Sequence, residues 1–238
     1  MERTTIQKLL AEFVGTFALI FIGVGSIVAA NFAPGAGLVT VAIAHGLAIA
    51  TMVTAVGHVS GAHFNPAVTI GAWVTGKIKS ADAGLYIGTQ LLGGIVGALA
   101  IRAAIPREAW LGVNLGTPLV SGSIRSGSAV LIEAILTFFL VWVVFATAID
   151  EDGAFNKVAG LAIGFVILMD IMMGGPFTGA AMNPARSFGP ALVGGFWDGW
   201  WVYWVGPIAG GIIAAVLYDS IILARREPAA ALEAAPGE

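Results

Sequence analysis

The sequence contains no cysteine and few charged residues. None of its 238 residues is cysteine, which excludes a disulfide framework, a thiolate metal site and a cysteine nucleophile. Only 11% of the residues are charged and the formal net charge is −3, so no strongly basic surface suits nucleic acid. The hydrolase motifs Gly-x-Ser-x-Gly and His-Glu-x-x-His do not occur. We therefore expect no nucleic-acid partner, no metal, no cofactor and no enzymatic activity.

Apolar residues dominate instead. They make up 58% of the chain, and the mean hydropathy of +0.92 is far from that of a soluble globular protein. Six stretches are long enough to cross a bilayer, which predicts a multi-pass integral membrane protein. The six stretches are Leu9 to Phe32, Leu38 to Val56, Ala83 to Ile105, Ala129 to Ile149, Val158 to Met173 and Trp200 to Leu223.

The positive charges predict the orientation in the membrane. An even number of crossings places both termini on one side, and that side receives seven of the basic residues that flank the spans, whereas the other side receives three. Basic residues are enriched in cytoplasmic loops, so we expect cytoplasmic termini, in the plasma (inner) membrane. The seven are Arg3, Lys8, Lys77, Lys79, Lys157, Arg225 and Arg226, and the three are Arg102, Arg107 and Arg125.

One tripeptide occurs twice, as Asn65-Pro66-Ala67 and as Asn183-Pro184-Ala185. Asparagine is a strong N-cap and proline is tolerated at the first helical position, so each copy predicts the start of a helix. The apolar run after each start is much shorter than the roughly 20 residues that cross a bilayer. A helix that begins inside a membrane is tolerated only where it is covered by protein or lines a cavity, so two such half-helices predict a pore.

The two halves of the chain repeat each other. Glu12-x-x-x-Thr16-Phe17 opens the first span and Glu133-x-x-x-Thr137-Phe138 opens the fourth. Each half holds three spans, an odd number, so the second copy is inverted in the membrane. The predicted fold is all-α, with six transmembrane helices and two re-entrant half-helices in one channel domain of residues 1–226, with repeat halves of about 6–118 and 126–224. Residues 227–238 are expected to be a disordered tail.

Inverted copies bring the two capped helix ends together near the midplane, where their partial positive charges add and repel cations. The asparagine amides can donate to a passing water and interrupt a proton wire. Glu12 and Glu133 lie inside spans, and we expect them to accept hydrogen bonds from buried loop N–H groups, with a proton relay as the alternative. Non-helical backbone before each asparagine is expected to turn carbonyls to the pore, at Gly61, Ala62, His63, Gly179 and Ala181.

From residue 6 to residue 224 the chain resembles the aquaporin, or major intrinsic protein, family. The resemblance is carried by Ser-Gly-Ala-His-Phe-Asn-Pro-Ala-Val-Thr at 60–69 and Asn-Pro-Ala-Arg-Ser-Phe-Gly-Pro at 183–190. It implies homotetramers with one pore in each protomer, and a selectivity filter at His45, Ile171, Ala180 and Arg186. Strict water channels usually carry Phe and His at the first two positions. The present set is similar to the filters of plant tonoplast water channels, some of which also pass ammonia.

Several alternatives stay open from the sequence. Water is the expected substrate, with ammonia or small neutral solutes such as glycerol as the alternative, and a membrane scaffold with a nearly closed pore as a hypothesis of another class. His45 could instead be a hydrogen-bonding residue between helices, and the ring of His63 could be a gate. Asp170 and Asp219 receive no role. The run Asp150-Glu151-Asp152 is expected to be solvated, with cation binding as the alternative.

Overall fold

The computed structural model describes residues 3–33, 35–153 and 158–223, and in these ranges the regular structure is helical. The expected disordered tail at 227–238 lies outside them. Within these ranges, six helices have the length and the apolar composition to cross a membrane. They are α1 (Thr5–Phe32), α2 (Leu38–Ser60), α4 (Ser80–Ala104), α6 (Ser126–Ile149), α7 (Ala159–Thr178) and α9 (Val202–Leu223). The half-helices are α3 (Pro66–Val74) and α8 (Pro184–Gly194), and α5 (Arg107–Leu111) is a short helix in the third connection.

The fifth span is longer than the sequence predicted. The prediction ended it at Met173, but α7 continues to Thr178 through Gly174-Gly175-Pro176, a sequence that disfavours a helix. The glycines pack closely against other helices here: a Cβ at Gly175 would lie 2.6 Å from Cδ1 of Leu38. Tertiary packing therefore outweighs the local preference to end the helix.

In the described part of the chain, three regions of π-helix widen the spans locally, at Leu19–Val24 in α1, Phe145–Ile149 in α6 and Tyr218–Leu223 in α9. Helix backbones otherwise approach closely through glycine. A Cβ at Gly46 of α2 would lie 2.7 Å from the carbonyl oxygen of Gly164 in α7, and one at Gly94 of α4 would lie 2.7 Å from that of Ala185 in α8. Small residues at these crossings allow dense packing of helices in a membrane.

The two re-entrant segments have the same backbone conformation. Helices α2 and α7 both end at a left-handed glycine, Gly61 with φ 87° and Gly179 with φ 80°. The following loops return to the half-helices through alternate residues with positive φ. These are Ala62 and Phe64 in the first loop, and Ala180 and Met182 in the second. The internal repeat predicted from the sequence is thus present in the backbone.

Candidate functional site

The two half-helices meet at their capping asparagines. Asn65 Oδ1 accepts from the N–H of Ala67 at 2.8 Å, and Asn183 Oδ1 accepts from that of Ala185 at 2.9 Å, as the N-cap prediction requires. Each amide nitrogen also donates to the opposite loop, Asn65 to the carbonyl of Met182 at 2.8 Å and Asn183 to that of Phe64 at 2.9 Å. Since an amide carries two N–H donors, one N–H of each asparagine is left for another acceptor.

A narrow cavity of about 40 Å³ runs beside these caps. Both loops line it, through residues 62–65 and 180–183, and aliphatic side chains of the spans complete its wall. Wider funnels border it at both ends. A funnel of about 280 Å³ shares Ile171 and Arg186 with the cavity, and one of about 660 Å³ shares His63 and also contains Lys8 and Lys77.

The four residues of the expected filter, His45, Ile171, Ala180 and Arg186, all line this cavity. Nη1 of Arg186 donates to the carbonyl of Gly116 at 3.0 Å, and Nδ1 of His45 lies 2.9 Å from the carbonyl oxygen of Val41. Two further polar atoms, Nε2 of His45 and Nε of Arg186, are buried without a hydrogen-bond partner among the described residues. The expected filter positions therefore combine anchored side chains with buried polar atoms that have no partner among the described residues.

The five backbone positions expected to face the pore are distributed differently. Ala62, His63 and Ala181 line the narrow cavity. Gly179 lines the funnel of about 280 Å³, and Gly61 lines the funnel of about 660 Å³. The carbonyls of Phe64 and Met182, which the sequence did not single out, accept the asparagine amides. The ring of His63 is held aside, with Nδ1 3.1 Å from Oγ1 of Thr69.

The two membrane carboxylates each hold one re-entrant loop. Glu12 accepts from the N–H of His63 at 3.0 Å and of Phe64 at 2.7 Å. Glu133 accepts from the N–H of Ala181 at 2.9 Å and of Met182 at 2.8 Å. Both glutamates are completely buried. This geometry is the structural role that we expected from sequence, since every buried donor needs an acceptor.

Further residues support the loops and were missed. Gln90 Nε2 donates to Glu12 at 2.8 Å and to Thr69 at 2.9 Å. The hydroxyl of Tyr86 donates to the carbonyl of Ser60, and that of Tyr203 donates to the carbonyl of Thr178, both at 2.9 Å. The repeat contained a signal for the tyrosines. Gln-Leu-Leu-Gly-Gly-Ile at 90–95 is similar to Pro-Ile-Ala-Gly-Gly-Ile at 207–212, and a tyrosine lies four residues before each.

The acidic residues outside the loops have separate environments. Asp219 pairs with Lys77 at 2.8 Å. The prediction that residues 150–152 are solvated is wrong for Asp150, which is 3% exposed and accepts from the Tyr218 hydroxyl at 3.0 Å. The last span brings that tyrosine over the fourth connection, a contact 68 residues away in the chain. Asp170 is 1% exposed, and its Oδ2 has no partner among the described residues.

Known proteins resemble this chain in sequence and in fold. A sequence model of the family described as Major intrinsic protein matches residues 1–218. The chain is 43% identical over 227 residues to Aquaporin TIP4-4 of Zea mays, covering 92% of this chain and 88% of the relative. It is 44% identical over 232 residues to Probable aquaporin TIP3-2 of Arabidopsis thaliana, covering 92% and 85%. The X-ray structure of the aquaglyceroporin from Plasmodium falciparum superposes with a TM-score of 0.82 at 27% identity, covering 94% of this chain and 100% of that one.

Proposed function

Because the chain belongs to the major intrinsic protein family, we propose that it is a passive water channel in a membrane. The observation that carries the proposal is the meeting of two capped half-helices beside a narrow cavity. Relatives at 41–44% identity are named aquaporins, which supports the same conclusion. The chain is not an enzyme.

Water selectivity follows from the size of the cavity. A buried water needs about 10–15 Å³ of accessible volume, so about 40 Å³ holds a file of roughly three waters. Apolar side chains line most of its wall. A conducted molecule therefore loses most of its hydrogen bonds to surrounding water. A water molecule regains hydrogen bonds at the two asparagines, whereas an ion does not recover its hydration there. The size also disfavours glycerol and other larger neutral solutes.

Proton and cation exclusion is assigned to the half-helix ends. The remaining N–H of Asn65 and that of Asn183 donate to the oxygen of one water, so its own hydrogens point away along the file in both directions. That orientation interrupts a continuous proton wire. The N-termini of α3 and α8 both contribute positive partial charge at the same place, which opposes a cation.

The filter combines a donor and an acceptor. A carbonyl only accepts hydrogen bonds, so the contact of His45 Nδ1 with the Val41 carbonyl requires a proton on Nδ1, and in the neutral ring Nε2 is then an acceptor. Arg186 offers N–H donors on the same cavity, while Ile171 and Ala180 are apolar. A water at this point both donates and accepts, as this pair of side chains requires.

The chain is a multi-pass integral membrane protein, and its finer location and assembly are part of the proposal. The plant TIP relatives favour a tonoplast-type membrane over the plasma (inner) membrane expected from sequence. We propose cytoplasmic termini and a homotetramer in which each protomer of residues 1–226 has its own pore. Many large apolar side chains on the outer faces of the spans are exposed, which suits contact with lipid and with neighbouring protomers.

Stopped-flow light scattering on proteoliposomes tests the function. Vesicles with the wild-type chain should shrink in an osmotic gradient much faster than empty vesicles, without carrying a proton current. Vesicles with Ala180→Trp should behave like empty ones, because a large ring at this buried position fills the cavity. Equal rates for wild-type and empty vesicles would overturn the proposal. An ammonium gradient tests ammonia as the alternative substrate. We expect no ammonia flux through the wild-type chain or through His45→Phe.

A further inference from the structure

A glycine in the first span lies directly against the filter histidine. Gly23 belongs to the π-helical stretch Leu19–Val24 of α1 and is buried. A Cβ added at this position would lie 2.7 Å from Cδ2, 2.9 Å from Cγ and 3.0 Å from Nε2 of His45. Side-chain carbons in contact are normally about 3.5–4.0 Å apart, so even one methyl group does not fit here.

These three distances show which part of the ring Gly23 contacts. Cγ and Nε2 are the two neighbours of Cδ2 in the imidazole, and all three atoms are almost equally far from the added carbon. An approach within the plane of the ring would leave the two neighbours markedly farther away than Cδ2. The backbone of Gly23 is therefore packed on the face of the imidazole.

The imidazole of His45 lies on the cavity side of Gly23. It lines the pore cavity, whereas Gly23 does not. His45 is 2% exposed, and its Nδ1 is anchored 2.9 Å from the Val41 carbonyl oxygen on the same helix. A side chain at position 23 would therefore press on the ring from behind and move it into the cavity.

The second half of the chain gives an internal comparison. Alignment of the repeats on Glu12 and Glu133 pairs Gly23 with Val144, and alignment on Gly61 and Gly179 pairs His45 with Ile163. Val144 and Ile163 both line the cavity. In the second half two aliphatic side chains share the wall. In the first half the α1 position has no side chain and the imidazole occupies that space.

We propose that Gly23 is a positioning residue that sets how far the His45 imidazole projects into the filter, and thereby sets the width of the filter. The inference rests on the proposed water channel and adds a residue that does not itself line the pore. A π-helical stretch at a functional site is a common arrangement, because the inserted residue shifts the side chains that the helix presents.

The test compares Gly23→Ala with Gly25→Ala in reconstituted vesicles, with flux normalised to the amount of folded protein. Gly25 is a matched control on the same helix, since its Cβ would lie 3.8 Å from Cδ1 of Ile101, an ordinary contact. We expect Gly23→Ala to lower water permeability about tenfold, equivalent to about 1.4 kcal/mol on the barrier, and to raise its activation energy. Gly25→Ala should remain within about twofold of wild type, a barrier change of well under 1 kcal/mol.

A second pair of variants separates positioning from general damage. In a His45→Ala background the ring is absent, so adding Gly23→Ala should leave the permeability of the His45→Ala channel unchanged. An equal loss of flux in both backgrounds would overturn the inference, as would wild-type flux in Gly23→Ala itself. Failure of the proposed function is distinguishable, because the wild-type channel would then show no flux.

Discussion

Replacement of Glu12 by glutamine tests how the first re-entrant loop is held. The carboxylate accepts four hydrogen bonds. Oε1 accepts from Ser60 Oγ at 2.6 Å and from His63 N at 3.0 Å, and Oε2 accepts from Phe64 N at 2.7 Å and from Gln90 Nε2 at 2.8 Å. Glutamine has the same shape but replaces one acceptor oxygen by an NH₂ donor.

Each carboxylate oxygen accepts from two donors. Whichever oxygen is replaced, these two donors therefore face the new NH₂ group, which is itself a donor. The Ser60 hydroxyl can rotate and the Gln90 amide can flip, but a backbone N–H, that of His63 or of Phe64, has no such freedom. One unsatisfied buried donor costs about 1–3 kcal/mol, and the surviving bonds lose their charge assistance. The variant no longer buries a charge, which offsets part of the loss. We expect a net destabilisation of about 2–3 kcal/mol.

Thermal unfolding in detergent measures this effect. For a chain of this size about 1 kcal/mol lowers Tm by about 2–4 °C, so Glu12→Gln should lower it by about 5–10 °C. Glu108→Gln is the matched control, because the same substitution at an exposed side chain in α5 breaks no buried hydrogen bond and should leave Tm unchanged. Equal Tm values for wild type, Glu12→Gln and Glu108→Gln would refute the account of the loop.

Two further predictions concern the cavity and the Lys77–Asp219 ion pair. The chain has no cysteine, so mercurials should leave its water flux unchanged. Ala180→Cys, at a buried position of the proposed filter, should make the flux sensitive to mercury. Inhibition of the wild-type flux by mercury would contradict the proposed pore. The Lys77–Asp219 ion pair has side chains 35% and 31% exposed, so Lys77→Ala should cost less than about 1 kcal/mol in unfolding experiments, and a larger loss would mean that the pair is not screened by solvent.

Features that depend on a short stretch of sequence could be predicted. The spans follow from long apolar runs, and the half-helices follow from an Asn-Pro start with too short a run after it. The glutamates were expected to be loop acceptors because an ionisable residue in a span and an irregular loop both need a partner. The limit of such patterns appears at residues 174–178, which the predicted fifth span left out and α7 includes.

Features that join distant residues could not be predicted. The hydrogen bond from the Asn65 amide to the Met182 carbonyl connects positions 117 residues apart. The buried Asp150 accepts a hydrogen bond from a tyrosine in the last span. The contact of Gly23 with the His45 ring likewise joins two helices. The sequence by itself determined the six spans, the two capped half-helices and their inverted repeat, because each is a property of local hydrophobicity and backbone preference. Only the tertiary structure decided which carbonyls the asparagines contact and how far each filter side chain reaches, because those depend on the distances between packed helices.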